Sequence, residues 1–143
     1  MKETKITALY ERTPAKNRLL EERFSINTQK NQLEDYATAH GFENIVHFTD
    51  DGISSVLFGA DRPGFSRMMS EIESGNVGIC LCRDLSRLGR GHYHVGLCIE
   101  SMRTNGVRLI AINDDLDSDK NEDDFAILSG ILHKFYAIGT RSK

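Results

Sequence analysis

Arg83, Arg87 and Arg90 fall within the run Arg83-Asp84-Leu85-Ser86-Arg87-Leu88-Gly89-Arg90. Arg87 and Arg90 are three apart, so one helical turn sets them on a shared face. Arginine's planar fork matches phosphate oxygens, and arginines gathered together repel one another unless an anion lies among them. The chemistry open to this cluster is phosphate binding; the alternative is a set of surface ion pairs with Asp50, Asp51 or Asp84. The sequence contains no P-loop, no Gly-x-Gly-x-x-Gly and no His-Glu-x-x-His, and no carboxylate pair has persuasive metal-ligand spacing. That argues against nucleotide- or metal-dependent reactions. Cys80 and Cys82 lie in an apolar run, and Cys-x-Cys followed by His92-x-His94 is not a zinc pattern. These cysteines read as small buried hydrophobes, and an odd total of 3 is not a disulfide framework.

For the arginines to act together, the elements carrying them must end at one edge of the fold. Lys5–Tyr10 and Ile45–Phe48 read as short strands, Val77–Cys82 as a continuous apolar run suited to a buried parallel strand, and Val107–Ile112 as another buried strand. Between them lie helical patterns. The first runs from a serine cap at Ser25 to Gly41, with Ile26, Leu33, Tyr36 and Ala37 at helical spacing. The second starts at Pro63 and runs to about Ser74, and the third spans His92–Asn105. A last apolar helix covers Asp124–Tyr136, with Phe125, Leu128, Leu132 and Phe135 on one stripe. Arg12–Glu22, Thr49–Arg62 and the acidic stretch from Asn113 read as loops. Alternating strands and helices predict a three-layer α/β fold, a mainly parallel sheet with helices on both faces. In such sheets ligands sit beyond the carboxyl ends of the strands. Tyr10–Pro14, Thr49–Arg62, Arg83–Arg90 and the segment after Asn113 gather there, bringing Arg12 and Arg62 to the other arginines.

The 143 residues suit one domain, and 39% hydrophobic with 27% charged residues excludes a disordered or low-complexity chain. No apolar run is long enough to span a bilayer and no signal-peptide core follows the N-terminus, which predicts a cytoplasmic protein without membrane contact. The net charge of −3 alone speaks against a dedicated nucleic-acid-binding domain. Its distribution matters more: Asn113–Asp124 holds seven acids and one lysine, leaving 17 basic residues against 14 acidic ones elsewhere.

Tyr10-Glu11-Arg12, Ser25-Ile26-x-x-Gln29, Phe48-Thr49-Asp50-Asp51-Gly52-Ile53-Ser54, Arg62-Pro63-Gly64-Phe65 and Asp84–Arg90 occur in order over nearly the whole chain. Together they resemble the catalytic domain of the serine recombinases, the resolvase/invertase family. The likeness is greatest to the large transposon-type members, also through Val107–Ser118. The resemblance implies a resolvase-like catalytic domain over residues 1–143, ending near the start of a long helix that leads to DNA-binding parts absent from this chain. It implies site-specific DNA strand exchange through a 5′-phosphoserine intermediate with a freed 3′-hydroxyl, and no metal or nucleotide cofactor. The implied partners are the DNA phosphate backbone and further copies of the protein, as dimer and synaptic tetramer.

Carried over by position, Arg12, Arg62, Arg87 and Arg90 match catalytic or phosphate-contacting arginines. Gln29 and Ser54 match polar active-site positions, Asp50 matches a family acid, and Ser86 stands where smaller resolvases carry aspartate. The departure is Pro14, in the nucleophile's place two residues after Arg12. Proline has no hydroxyl, neighbouring Thr13 is one position out of register, and Ser25 matches a serine the subgroup already carries. The loop Ala15–Arg23 and Lys134, Ile138 and Gly139 also depart from the subgroup's pattern. Two readings follow: a recombinase domain, active or decayed, or a non-catalytic assembly remnant that associates with intact partners. Asp50-Asp51 beyond a strand admits a third, a phosphoacceptor switch of flavodoxin-like type, against which stands Arg12 after the first strand.

Overall fold

The computed structural model describes residues 5–13, 20–50, 62–88 and 92–119. The first strand, β1, spans Ile6–Arg12 and leads to helix α1, Leu20–Ala39. Then follow β2 (Ile45–Asp50), α2 (Pro63–Glu73), β3 (Val77–Cys82), α3 (His92–Thr104), β4 (Arg108–Ala111) and β5 (Leu116–Asp117). The strands form one sheet in the order β2-β1-β3-β4-β5; the first four are parallel and β5 is antiparallel to β4. This is the expected mainly parallel α/β fold.

Alternation along the central strands divides the core. Ala8, Tyr10, Cys80, Cys82, Leu109 and Ala111 pack with Met68 and Ile72 of α2 and Val95, Ile99 and Met102 of α3. Leu9, Leu81 and Ile110 point the other way, against Leu33 and Ala37 of α1. Successive strand residues face opposite sides of a sheet, so strands covered on both faces must be apolar throughout, as Val77–Cys82 is. All three cysteines are free and buried within the first of these clusters, as expected. Burial raises the thiol pKa of each, that of Cys98 to about 12, which keeps them un-ionised. Among the described residues, no helix is long and apolar enough to cross a membrane.

Two expectations need correction. Helix α1 begins at Leu20, not at Ser25, which lies inside it. Leu20, Glu21, Glu22 and Arg23 are all strong helix formers, and their joint propensity outweighs the local capping signal of a serine. The stretch after Ile112 is not all loop. A 3₁₀ turn at Ile112–Asp114 and left-handed Asp115 (φ 53°) reverse the chain into β5. Arg108 holds that hairpin through two bonds to Asp117, at 2.9 and 2.7 Å. A strand of two residues within an acidic run leaves no alternating pattern to read. The expected helix at Asp124–Tyr136 lies outside the described residues.

Helix α2 starts at Pro63, as expected, and meets β2 so closely that only glycine fits at position 64. A Cβ there would lie 2.7 Å from the Thr49 carbonyl oxygen and 2.9 Å from its carbon and nitrogen. These are backbone atoms and cannot swing away. Gly64→Ala gains helix propensity, yet overpacking of this kind costs about 1–3 kcal/mol. A melting temperature lower by about 5 °C is expected in thermal unfolding, and an unchanged one would show that α2 shifts freely on the sheet.

Candidate active site

Strand β1 is central, and the chain leaves it towards β2 on one side while β3 lies on the other. Their connecting helices cover opposite faces, so the strand order reverses between β1 and β3, and the edge beyond their carboxyl ends is the usual ligand position in such sheets. Arg12 ends β1 opposite Asp50 of β2, and the segment from Arg83 leaves β3 beside them.

Tyr10 is the junction of this edge. Its hydroxyl donates to Asp50 Oδ2 at 2.7 Å and accepts from Arg62 Nη2 at 2.8 Å and Nε at 3.3 Å. Burial raises the phenol well above its ordinary pKa, so the hydroxyl keeps its proton. The Asp50 carboxylate also accepts from the backbone N–H groups of Gly64 and Phe65, each at 2.8 Å. It thereby caps the first turn of α2, which Arg62, the residue before the helix, leaves uncapped by its own side chain.

Arg62 is 1% exposed and its guanidinium lies 4.0 Å from the centroid of the Phe65 ring. It donates to the carbonyls of Leu88 (2.8 Å) and Arg87 (2.9 Å) as well as to Tyr10. Arg62 therefore holds the 3₁₀ turn Leu85–Arg87 in place from inside the fold.

Arg12 and Arg87 engage each other reciprocally: Arg12 Nε donates to the Arg87 carbonyl at 3.2 Å, and Arg87 Nη1 donates to the Arg12 carbonyl at 3.0 Å. Gln29 of α1 matches the Arg12 backbone, accepting from its N–H at 3.3 Å and donating to its carbonyl at 3.1 Å. Gln29 is fully buried on the stripe that also holds Ile26, Leu33 and Ala37. The motif Ser25-Ile26-x-x-Gln29 marked this glutamine as a site residue; its place among Ile26, Leu33 and Ala37 shows that it faces inward.

Arg87 Nε is buried with no hydrogen-bond partner; Asp84 Oδ1 stands 3.6 Å away, beyond hydrogen-bond reach. Arg83 Nε is likewise buried without one. Burial pulls the Arg12 pKa down to about 10; Tyr10 and Asp84 oppose this while Arg87 and Arg62 add to it, and the group stays charged at neutral pH. An anion held among these groups would relieve both desolvation and repulsion. Among the described residues, no three His, Cys, Asp or Glu side chains are grouped to hold a metal ion.

Of the residues expected at the site, Arg12, Gln29, Asp50, Arg62 and Arg87 are thus brought together. Ser86 lies in the 3₁₀ turn. Pro14, Ser54 and Arg90 lie outside the described residues, and Ser25 falls within α1. Tyr10, Asp84 and Asp114 were not singled out as site residues. Tyr10 could have been, from its place at the head of Tyr10-Glu11-Arg12; Asp114 carried no local signal.

A mainly parallel sheet with Arg12, Arg62 and Arg87 gathered at the carboxyl ends of its central strands defines an α/β domain with a cationic edge. The chain matches the family model for the resolvase N-terminal domain over residues 7–141, and it belongs to that family, the serine site-specific recombinases. It is 28% identical to the N-terminal catalytic domain of TP901-1 integrase, with 96% of each chain covered and a TM-score of 0.74. A resolvase-family site-specific recombinase from Streptococcus pneumoniae is 29% identical, over 96% of this chain and 92% of that one, with a TM-score of 0.72. The C-terminal catalytic domain of ISC1926 TnpA, an IS607-like serine recombinase, shares the fold at 24% identity, over 75% and 70% of the two chains (TM-score 0.63). A comparison with curated protein sequences gives no match.

Proposed function

We propose that this domain binds the DNA phosphodiester backbone through Arg12 and Arg87, within a recombinase whose strand-exchange chemistry lacks its nucleophile in this sequence. The observation that carries the phosphate assignment is the buried Nε of Arg87, which has no hydrogen-bond partner and only Asp84 at 3.6 Å, beside the charged Arg12. Arg90 belongs with them on sequence grounds, and Arg62, Gln29 and Asp50 act through others, by holding the Arg87 turn, the Arg12 backbone and α2. Ser54 and Ser86 are assigned to the site by motif position.

In the family's reaction a serine Oγ–phosphorus bond forms as the bond from phosphorus to the 3′ oxygen breaks, and the 3′ oxygen leaves as a hydroxyl. Arginines placed around the phosphate stabilise the charge that develops on it. Pro14 supplies no oxygen for the first bond. Thr13 does not stand in for it: the residue is 0% exposed, with its N–H bonded to the Asp50 carbonyl at 3.1 Å. As written, the chain therefore binds and assembles, as a dimer and synaptic tetramer with copies that carry the serine, rather than cleaving. A phosphoacceptor switch is disfavoured, because Asp50 spends both carboxylate oxygens on Tyr10 and α2.

Arg87→Ala tests the assignment against Arg103→Ala, a control on α3 whose partner is exposed Glu100. Loss of Arg87 is expected to weaken binding of a short DNA duplex at low salt by about tenfold, equivalent to about 1.4 kcal/mol. The Arg103 variant should stay within about twofold, as surface ion pairs contribute little. Equal effects in titration calorimetry, or binding that requires magnesium, would overturn the assignment.

A further inference from the structure

The turn that carries Arg87 is capped from a distant part of the chain. Leu85–Arg87 is entered from extended Asp84 (φ −157°, ψ 166°), whose side chain makes no capping hydrogen bond. Asp114 Oδ2, 29 residues further on, accepts the Leu85 N–H at 2.8 Å. Beside it, the Asn113 N–H donates to the Arg83 carbonyl at 2.7 Å, and Gln32 Nε2 of α1 donates to Asn113 Oδ1 at 3.0 Å. The segment after β4 thus clasps the segment after β3. Arg62 holds the other end of the same turn through the Arg87 and Leu88 carbonyls.

We propose that Asp114 is a positioning residue for Arg87: its carboxylate fixes the start of the 3₁₀ turn, and with it the place where the Arg87 guanidinium meets phosphate. This rests on Arg87 being a phosphate contact. A turn of three residues has few internal hydrogen bonds, so its geometry is set by what grips its ends. One gripping group is a buried cation and the other a carboxylate from a separate hairpin, so the turn is held from two sides by distant parts of the chain. Asp114 itself touches no phosphate in this arrangement; its effect passes through Arg87.

The test is titration with inorganic phosphate, followed through the Arg12 Nε–H NMR signal, in a double-mutant cycle with Arg87→Ala. Asp114→Ala is expected to weaken phosphate binding about fivefold, in the range found for coupled neighbours. Asp114→Asn keeps an oxygen acceptor for the Leu85 N–H and should stay within about twofold. In the Arg87→Ala background, Asp114→Ala should have no further effect. Should the alanine variant lose its fold, Asp114→Ser, whose shorter side chain gives up the 2.8 Å bond, is read in the same cycle. Additive losses, or full affinity in the Asp114 variants while Arg87→Ala weakens binding, would overturn the positioning role alone. Full affinity in Arg87→Ala would overturn the phosphate assignment itself.

Discussion

Pro14→Ser is expected to turn a protein that forms no covalent link to DNA into one that does. Several of the side chains that the family's reaction calls on are held together. Arg12 and Arg87 are locked to each other's carbonyls, Gln29 pins the Arg12 backbone, and Arg62 and Tyr10 support them from within. Electrostatic stabilisation has nothing to act on without an attacking oxygen, and losing a nucleophile removes on the order of 10⁴-fold or more of a covalent enzyme's rate. The serine also restores a backbone N–H and frees the φ that proline fixes just beyond the β1–β2 ladder, which persists to Thr13. The experiment joins each form to a serine-recombinase DNA-binding region and offers a nicked recombination-site duplex, which traps covalent complexes. Adduct is expected from Pro14→Ser alone. Adduct from the Pro14 form, mapped by mass spectrometry to Thr13 or Ser25, would move the nucleophile elsewhere. No adduct from either would mean that Ala15–Arg23 or the later departures also disable the site.

Asp50→Asn should be the most destabilising isosteric change at the site. The carboxylate accepts three hydrogen bonds, from the Tyr10 hydroxyl and the amides of Gly64 and Phe65. Its two oxygens face one amide each, so either orientation of an asparagine side chain turns its NH₂ towards a backbone N–H and leaves a buried donor unmet. The Tyr10 hydroxyl cannot compensate, because two Arg62 donors already occupy its acceptor side. Stranding buried donors costs about 1–3 kcal/mol each, more beside a charge, so a loss of about 3 kcal/mol is expected. The melting temperature should fall by about 10 °C. Asp35→Asn, on the exposed side of α1, should stay within about 0.5 kcal/mol in the same denaturation series. A loss below about 1 kcal/mol for Asp50→Asn would show that α2 does not depend on this cap.

The two positions differ in how they could be known. Pro14 was legible at once, because a hydroxyl is present or absent in the residue itself. That Asp50 caps α2 needed β2 and α2 to be set side by side. Gly64 likewise stood in a motif, but its necessity follows from an approach of 2.7 Å to the Thr49 carbonyl.

The sequence by itself determined the architecture and the edge at which the site forms. The unbroken apolar run Val77–Cys82 and the apolar Leu109–Ala111 read as strands covered on both faces, and alternation with helices makes such strands parallel. Parallel strands all end at one edge, so the arginines that follow them had to converge. Tertiary structure alone decided what each arginine does there. Arg62 and Arg87 are the same residue type on neighbouring segments, yet one is sealed beneath the Leu85–Arg87 turn and the other keeps a buried Nε that makes no hydrogen bond. That difference depends on which carbonyls lie within 3 Å of each guanidinium, and those carbonyls come from segments 25 to 75 residues away. Hydrogen bonds of this range act over a few ångströms in space and leave no period or spacing in the chain, whereas burial of a strand or a helix face repeats every two or three to four residues and is written along it.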